Sequence, residues 1–322
     1  MKTSLFLASF AALFLTSAPA AEPAFAPDDR VLILGDSITQ DGRWAALVEA
    51  YWWWKYPGSK AQFICAGLGS ETACGLTERD HPFPRPNVHE RLGRALAAAK
   101  PTAVVACYGM NDGIYHPFGD DRFAQYKGGI EKLVADCRAA GVKSVTLLTP
   151  PPFDAKSVRG RLGGEGEADY GYKVPFKDYD DSVLEKYGEW ILTLPAAGGC
   201  DRAIDIHTPM EAAINARRAE DPDYKSGDGV HPNEEGQFKM GESVLLGLGE
   251  APADVAAFLK ALADNKALAG KIFARHRAHS TAWRVSIGHK RPGEQKAPPL
   301  PEATKAAAAQ EAEVRAALIS GK

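Results

Sequence analysis

The chain has 322 residues, of which 45% are hydrophobic, so it is long enough for one large domain with an extension or for two domains. Its net charge of −3 is too small to indicate a polyanionic partner, and we predict no nucleic-acid binding. An odd count of five cysteines in so long a chain is not typical of a disulfide scaffold, although Cys65 and Cys74 lie close enough in sequence to be considered as a local pair.

The first twenty residues have the order of a cleavable export signal. Lys2 is followed by an apolar run over residues 5–15 and by the small residues of segment 17–20. The apolar run is too short to span a bilayer as a helix, and no later segment resembles a membrane span. We therefore predict that residues 1–20 are removed and that the mature protein is exported, either periplasmic or extracellular.

Apolar strands alternate with helices along most of the remaining chain. The predicted strands span residues 31–34, 61–65, 103–108, 144–149 and 203–206, and the predicted helices span residues 42–55, 88–100, 121–140 and 181–194. A further helix is predicted from about Asn233, and a long Gly-rich loop covers residues 159–178. This alternation favours an α/β fold with a parallel sheet, in which the residues after each strand gather along one edge. Ligands bind at that edge in open α/β sheets.

A serine follows the first predicted strand, in the sequence Gly-Asp-Ser-Ile-Thr. Gly35 permits a sharp turn, and Ser37 then lies at the carboxyl end of the strand and close to a helix start. Unpaired backbone N–H groups at such a position stabilise negative charge. We interpret Ser37 as a nucleophile, and the alternative is a polar residue in an ordinary turn between a strand and a helix.

The partners that a serine nucleophile requires are present late in the chain. A serine hydroxyl needs a base to take its proton, and an imidazole needs an acceptor that fixes its tautomer. Asp228 and His231 are three residues apart in a predicted loop and satisfy both requirements. Alone, this spacing is more typical of a surface turn with an exposed histidine. The strand-end segments around Ser37 and Asn111 favour the catalytic interpretation.

These segments resemble the SGNH hydrolases, also called the GDSL esterase and lipase family. Gly35-Asp36-Ser37 is similar to the nucleophile segment of the family, and Asp228-x-x-His231 is similar to its Asp and His segment. Asn111, in Gly-Met-Asn-Asp, matches the Asn whose side chain enters the oxyanion hole. Over residues 28–249 the resemblance implies a three-layer α/β/α fold with a flavodoxin-like, five-stranded parallel sheet. It also implies a Ser37–His231–Asp228 triad.

The oxyanion hole implied by the resemblance consists of Ser37, Ser70 and Asn111, but the segment around Ser70 departs from the family pattern. An ungapped match places Cys65 at the family Asn and Ser70 at the family Gly. Since that glycine donates a backbone N–H, we expect Ser70 to serve if its φ is negative. Gly69 is the fallback.

Three other features have a structural and a functional interpretation. The run Tyr51-Trp-Trp-Trp54 is either a sugar platform or, as we favour, a core cluster with one exposed ring. Three histidines lie in predicted loops near the expected cleft: His81, His89 and His116. Each is either a substrate contact or, as is more typical of a histidine in a loop, solvated. Residues 250–322 form a predicted helical extension with helices at 254–268 and 298–322. Its basic segment 271–291 either binds an acidic polysaccharide or, as we favour, packs with a solvated basic face.

The sequence therefore predicts an exported serine esterase that acts on small acyl esters, with acetylated carbohydrate as the leading substrate. Two alternatives stay open: a lipid-directed acylhydrolase or acyltransferase of the same family, and an inactive carbohydrate-binding protein. The chain lacks Cys-x-x-Cys and His-Glu-x-x-His spacings, so we predict no metal site and no cofactor.

Overall fold

A computed structural model describes residues 23–293 and 295–320, so the predicted export signal lies outside the described residues. The strands are β1 (Arg30–Gly35), β2 (Gln62–Cys65), β3 (Ala103–Cys107), β4 (Ser144–Leu148) and β5 (Arg202–Ile204). The helices are α1 (Ser37–Asp41), α2 (Arg43–Lys55), α3 (Val88–Ala99), α4 (Asp120–Ala139), α5 (Glu185–Thr193), α6 (His207–Glu220), α7 (Glu234–Gly247), α8 (Pro252–Asp264), α9 (Lys266–Ile287) and α10 (Leu300–Ser320).

The five strands form one parallel sheet with the order β2-β1-β3-β4-β5. Val31 pairs with Ala103, and Ala103 pairs with Ser144. The apolar residues 31–34 of β1 are at most 1% exposed, as expected for a parallel strand that helices cover on both faces. Helix α2 packs on α7, and α3 packs on α4. The predicted three-layer α/β/α fold with a flavodoxin-like sheet is confirmed.

Most predicted elements shift by one or two residues, and four differ more. Of the helix predicted over 181–194, α5 covers only Glu185–Thr193, because Asp180–Leu184 form a π-helix. The short helix α1 was not predicted, and Gly42, with φ of +83°, separates it from α2. Helix α6 was also missed. The predicted helix over 254–268 ends at Asp264, because the side chain of Asn265 accepts a hydrogen bond from the N–H of Leu268 and starts α9.

The aromatic run on α2 belongs to the core, and the prediction that one of its rings is exposed is wrong. All four residues from Tyr51 to Trp54 are at most 9% exposed. Phe258 of α8 packs against Trp54 with ring centroids 5.8 Å apart, and the guanidinium of Arg275 lies 4.8 Å from the Trp53 ring. The C-terminal helices therefore cover the face of α2 that the first 249 residues would leave open.

The basic segment of α9 packs on the domain, but its basic face is only partly solvated. Arg275, His276 and Arg284 are at most 5% exposed. Arg275 and His276 both bind the buried carboxylate of Glu49 on α2, and Arg284 donates to the carbonyl oxygen of Gly67. These contacts fix the C-terminal helices against the loop that follows β2.

Two further observations concern covalent links and membranes. All five cysteines are free thiols, so Cys65 and Cys74 do not form the local pair considered from the sequence. Among the residues that the structure describes, no helix combines the length and apolar character required to cross a bilayer.

Candidate active site

Ser37 is the first residue of α1, and only Asp36 separates it from the carboxyl end of β1. Asp36 caps this helix by accepting a hydrogen bond from the N–H of Ile38 at 2.9 Å. A Cβ atom on Gly35 would lie 2.2 Å from Thr39 Oγ1 and 2.8 Å from the carbonyl oxygen of Cys107, so the turn requires glycine. The sequence thus places the Ser37 hydroxyl at the edge of the sheet.

The structure brings Ser37, His231 and Asp228 into one hydrogen-bonded chain. Ser37 Oγ lies 2.7 Å from His231 Nε2, and His231 Nδ1 lies 2.9 Å from Asp228 Oδ2. A carboxylate only accepts hydrogen bonds, so Nδ1 carries the proton of the neutral imidazole. Nε2 is then free to accept the proton of Ser37, as a general base does.

The electrostatics of this pair favour a basic imidazole beside an ionised carboxylate. Burial alone would lower the pKa of His231, but the hydrogen bond and the charge of Asp228 raise it above its ordinary value. Burial would raise the pKa of Asp228, but hydrogen bonds from His231 hold it well below its usual range. Both side chains remain about half exposed, so a substrate can reach them.

A buried polar cluster holds the loop that carries Asp228 and His231. Asp154 accepts hydrogen bonds from the hydroxyls of Ser157 and Ser226, and its N–H donates to the carbonyl oxygen of Gly229 at 2.8 Å. A Cβ atom on Gly227, whose φ is +153°, would lie 1.9 Å from the carbonyl oxygen of His231. The hydrogen bonds of Asp154 and the turn at Gly227 therefore hold the loop in one conformation.

Asn111 follows β3 and is 3% exposed, with its amide held in one orientation. Tyr115 donates its hydroxyl proton to Asn111 Oδ1 at 2.9 Å, and Asn111 Nδ2 donates to the carbonyl oxygen of Glu71 at 3.1 Å. Tyr115 and Ile114 have φ of +59° and +47°, conformations that cost of order 1–3 kcal/mol each. Tyr115 is a supporting residue that the sequence did not reveal, because nothing in its local pattern marks it.

Ser70 has φ of +66°, so the negative φ on which its expected role depended is not observed. The serine itself adopts the left-handed conformation that usually requires glycine. The fallback, Gly69, donates its N–H to Gln40 Oε1 at 2.5 Å. The backbone N–H groups of Ser37 and Ser70 make no hydrogen bond to any other described residue. This geometry favours Ser70 over Gly69 as a donor.

The buried ion pair of Arg91 and Glu71 orders the loop that carries Ser70. Arg91 binds both carboxylate oxygens of Glu71 at 2.6 Å, and the Tyr108 hydroxyl donates to Glu71 Oε2 at 2.7 Å. Both charged side chains are at most 1% exposed. Because a bidentate pair of this kind restricts geometry, it fixes the carbonyl of Glu71 that positions Asn111.

The three loop histidines have different surroundings. His81 lines the cleft beside Ser37, where burial lowers its pKa. His89 Nε2 instead lies 3.1 Å from the carbonyl oxygen of Gly129, and the His116 ring packs against Tyr170. Of the three, only His81 is placed where a substrate would contact it.

A Ser–His–Asp chain at the carboxyl edge of a parallel α/β sheet defines the class of serine hydrolases. Over residues 33–237 the sequence matches the GDSL-like lipase/acylhydrolase family. The chain belongs to this family, which confirms the resemblance to the SGNH hydrolases, and it is an ester-bond hydrolase.

Several solved structures are similar to this chain at low sequence identity. A gut microbial diltiazem-metabolizing enzyme is 19% identical with a TM-score of 0.53, over 70% of this chain and 48% of its own, so the chain spans about half of that protein. The psychrotrophic esterase EstA from Pseudoalteromonas sp. is 18% identical with a TM-score of 0.44, over 69% of this chain and 97% of its own. A Clostridium thermocellum family 3 carbohydrate esterase is 14% identical with a TM-score of 0.43, over 68% and 94%. No curated protein matches the chain.

Proposed function

We propose that the protein is an exported serine esterase that hydrolyses small acyl esters, with acetyl groups on carbohydrate as its leading substrate. The observation that carries this proposal is the chain of hydrogen bonds from Ser37 Oγ through His231 to Asp228, with lengths of 2.7 and 2.9 Å. A displaced His231 would have favoured an inactive binding protein. The observed distance supports catalysis instead.

In the acylation step, Ser37 Oγ attacks the ester carbonyl carbon while its proton passes to His231 Nε2. The carbonyl oxygen becomes an anion, which the N–H groups of Ser37 and Ser70 and the amide of Asn111 stabilise. Collapse of this intermediate breaks the bond to the alcohol oxygen. His231 returns its proton to that oxygen, and the alcohol leaves.

In the deacylation step, water attacks the acyl group on Ser37 and gives its proton to His231. The same donors stabilise the second oxyanion, and collapse releases the carboxylic acid and restores the Ser37 hydroxyl. Asp228 stays ionised throughout and stabilises the imidazolium that forms twice in each turnover. Because His231 activates the nucleophile and N–H groups polarise the carbonyl, we expect the reaction to need no metal ion.

The shape and lining of the cleft support a carbohydrate ester over a lipid. The cleft beside Ser37 has a volume of about 460 Å³ and is open to solvent. Its walls combine aromatic rings with cationic side chains, among them Phe83, Tyr172, Arg159 and Lys173. A long acyl chain requires an extended apolar groove, whereas aromatic and polar groups together suit a sugar.

A substrate panel tests the proposal. Purified protein is assayed on p-nitrophenyl esters of increasing acyl length and on acetylated glycans, with Ser37→Ala as the matched control and a chelator present throughout. We expect fast release of acetate, a steep fall with acyl length and no activity in Ser37→Ala. Preference for long acyl chains would favour the lipid-directed alternative, and no hydrolysis of any ester would favour the binding protein.

A further inference from the structure

The cleft beside Ser37 is bordered by a residue from beyond the family domain. Arg291 lies in the segment after α9, residues 288–293, and this segment brings its side chain to the cleft. The Arg291 guanidinium lies 5.3 Å from the centre of the Phe83 ring. A Cβ atom on Gly69 would lie 3.3 Å from Arg291 Nε, so the side chain rests against the loop that carries Ser70.

The hydrogen-bonding capacity of this guanidinium is largely unused. Its Nη1 donates to the carbonyl oxygen of Pro292 at 3.2 Å, and Nε is buried without a hydrogen-bond partner. Within residues 23–293 and 295–320, the Arg291 guanidinium makes no salt bridge and no further hydrogen bond. A buried donor on a charged group is costly to leave unpaired, so this position favours an anionic acceptor.

Two more cations face the same cleft from the long loop over residues 159–178. Arg159 and Lys173 are exposed, and neither forms a salt bridge within the described part of the chain. Arg85 also lines the cleft, but Glu78 pairs with it. The one carboxylate among the lining residues is Asp228, which His231 engages. The cleft is therefore positively charged although the whole chain carries a net charge of −3.

We propose that Arg291, with Arg159 and Lys173, binds a carboxylate on the alcohol portion of the substrate. This inference rests on the proposed function, in which the acyl group is acetyl and carries no charge. The preferred substrate is then the acetyl ester of an acidic sugar, such as a uronic acid. A planar guanidinium accommodates a carboxylate through two parallel hydrogen bonds, and the two loop cations attract it electrostatically.

Two substrates that differ in one charge test the proposal. A monoacetylated methyl galacturonoside is compared with the corresponding uronamide by acetate release at low ionic strength. We expect kcat/KM to be about tenfold higher for the acid. In Arg291→Gln this ratio should fall about tenfold, mainly through the KM of the acid. Added salt should reduce the ratio in the wild type.

A matched variant isolates the position of the charge. Lys290→Gln removes the same charge one residue away, outside the cleft lining, and should leave the ratio unchanged. Arg159→Gln/Lys173→Gln, on the exposed loop, should also lower the ratio, and this variant keeps the test decisive if Arg291→Gln does not fold.

The outcomes separate this inference from the proposed function. Equal kcat/KM for acid and amide, or equal losses on both substrates in Arg291→Gln, would overturn the carboxylate site while leaving the esterase in place. A ratio that falls as much in Lys290→Gln would also overturn it. Full hydrolysis of both substrates by Ser37→Ala would instead refute the proposed catalytic role of Ser37.

Discussion

Two histidines in this molecule are held by a carboxylate at the same distance but in different surroundings. His231 Nδ1 lies 2.9 Å from Asp228 Oδ2, and His276 Nδ1 lies 2.9 Å from Glu49 Oε2. The His231 side chain is 48% exposed and faces the cleft, whereas that of His276 is 4% exposed and faces the core. Geometry at the carboxylate alone therefore does not distinguish a catalytic histidine from a structural one.

The two histidines differ in the groups that surround them besides the carboxylate. Burial alone would lower the pKa of His276, but the neighbouring Cys65 and Glu49 raise it to about 9. His276 is thus a cation at neutral pH and cannot accept a proton there. Burial would raise the pKa of Glu49, but Arg275 and His276 lower it to about 2. Glu49, Arg275 and His276 therefore form a buried ion cluster that joins α9 to α2, whereas His231 contacts Ser37 and solvent.

The largest expected effect is on catalytic activity, and it distinguishes His231 from His276. Ser37→Ala and His231→Ala should each lower kcat by about 10⁴-fold or more, and the double variant should be little worse, because the residues act as a unit. Asp228→Asn should cost less than either. His276→Ala should keep kcat near the wild-type value at temperatures where it is folded. Strictly additive losses, or full activity in Ser37→Ala, would refute the triad.

Asn111→Ala should have the next largest effect. If its amide donates to the oxyanion, kcat falls about 10²- to 10³-fold with little change in KM. Steady-state kinetics and the melting temperature are measured together, with Tyr115→Phe as a milder variant that releases Asn111 Oδ1. An Asn111→Ala protein that melts many degrees lower yet keeps near-normal kcat at low temperature would show that Asn111 holds only the loop.

Glu49→Gln should affect stability and spare the chemistry. Replacing the shared carboxylate by an amide leaves the buried His276 without a carboxylate partner and leaves Arg275 with Glu311 alone, so the free energy of unfolding should fall by about 3–5 kcal/mol. The exposed pair Lys260–Asp264 provides the control, since Asp264→Asn should cost less than about 1 kcal/mol. Denaturant unfolding measures both, and kcat at low temperature should match the wild type.

The same cluster makes stability depend on pH. The pKa of His276 rises from 6.5 to about 9 on folding, so its contribution is complete below pH 6.5 and is lost as the pH rises through about 9. The stability advantage of the wild type over Glu49→Gln should therefore shrink across this range. An advantage that grows with pH, or equal unfolding of the two proteins, would contradict the ion cluster.

The smallest expected effect is a shift in the pH profile of activity. Hydrolysis requires neutral His231, so kcat/KM should rise with pH through its pKa, which lies above the ordinary value. In Asp228→Asn the hydrogen bond and charge that raise this pKa are altered, and the rising limb should move about one unit to lower pH. A sensitive fluorogenic ester measures the residual rate. A limb that stays in place or moves upward would contradict the assignment.

Local sequence patterns suffice for the elements that position the site. A buried strand followed by Gly-Asp-Ser predicts where Ser37 lies, and the parallel alternation of elements brings Asn111 to the same edge. Asp228 and His231 are close in sequence, and a serine nucleophile requires a residue of each type. The pattern of strands, turns and side-chain chemistry is therefore enough to predict an α/β fold with a parallel sheet and the candidate triad, whereas the flavodoxin-like three-layer fold was implied by the resemblance to the SGNH hydrolases.

Residues that act through distant contacts were missed for the same physical reason. Glu49 meets Arg275 and His276 across more than 200 positions, and no periodicity on α2 signals a carboxylate in the core. Arg291 reaches the cleft only because α9 packs where it does. The burial of Trp53 and Trp54 depends likewise on the C-terminal helices, which local patterns could predict as helices but could not place.

Covalent labelling of the nucleophile tests the central claim most directly. Diethyl p-nitrophenyl phosphate transfers its phosphoryl group to an activated serine and releases p-nitrophenol, and peptide mass spectrometry locates the added group. We predict one diethylphosphoryl group per chain, on Ser37, with loss of esterase activity in proportion to labelling. The label should be absent from Ser37→Ala, much slower to form in His231→Ala, and unaffected in a folded Lys290→Gln control. Labelling at another residue with loss of activity, or full activity in a chain labelled on Ser37, would contradict the account.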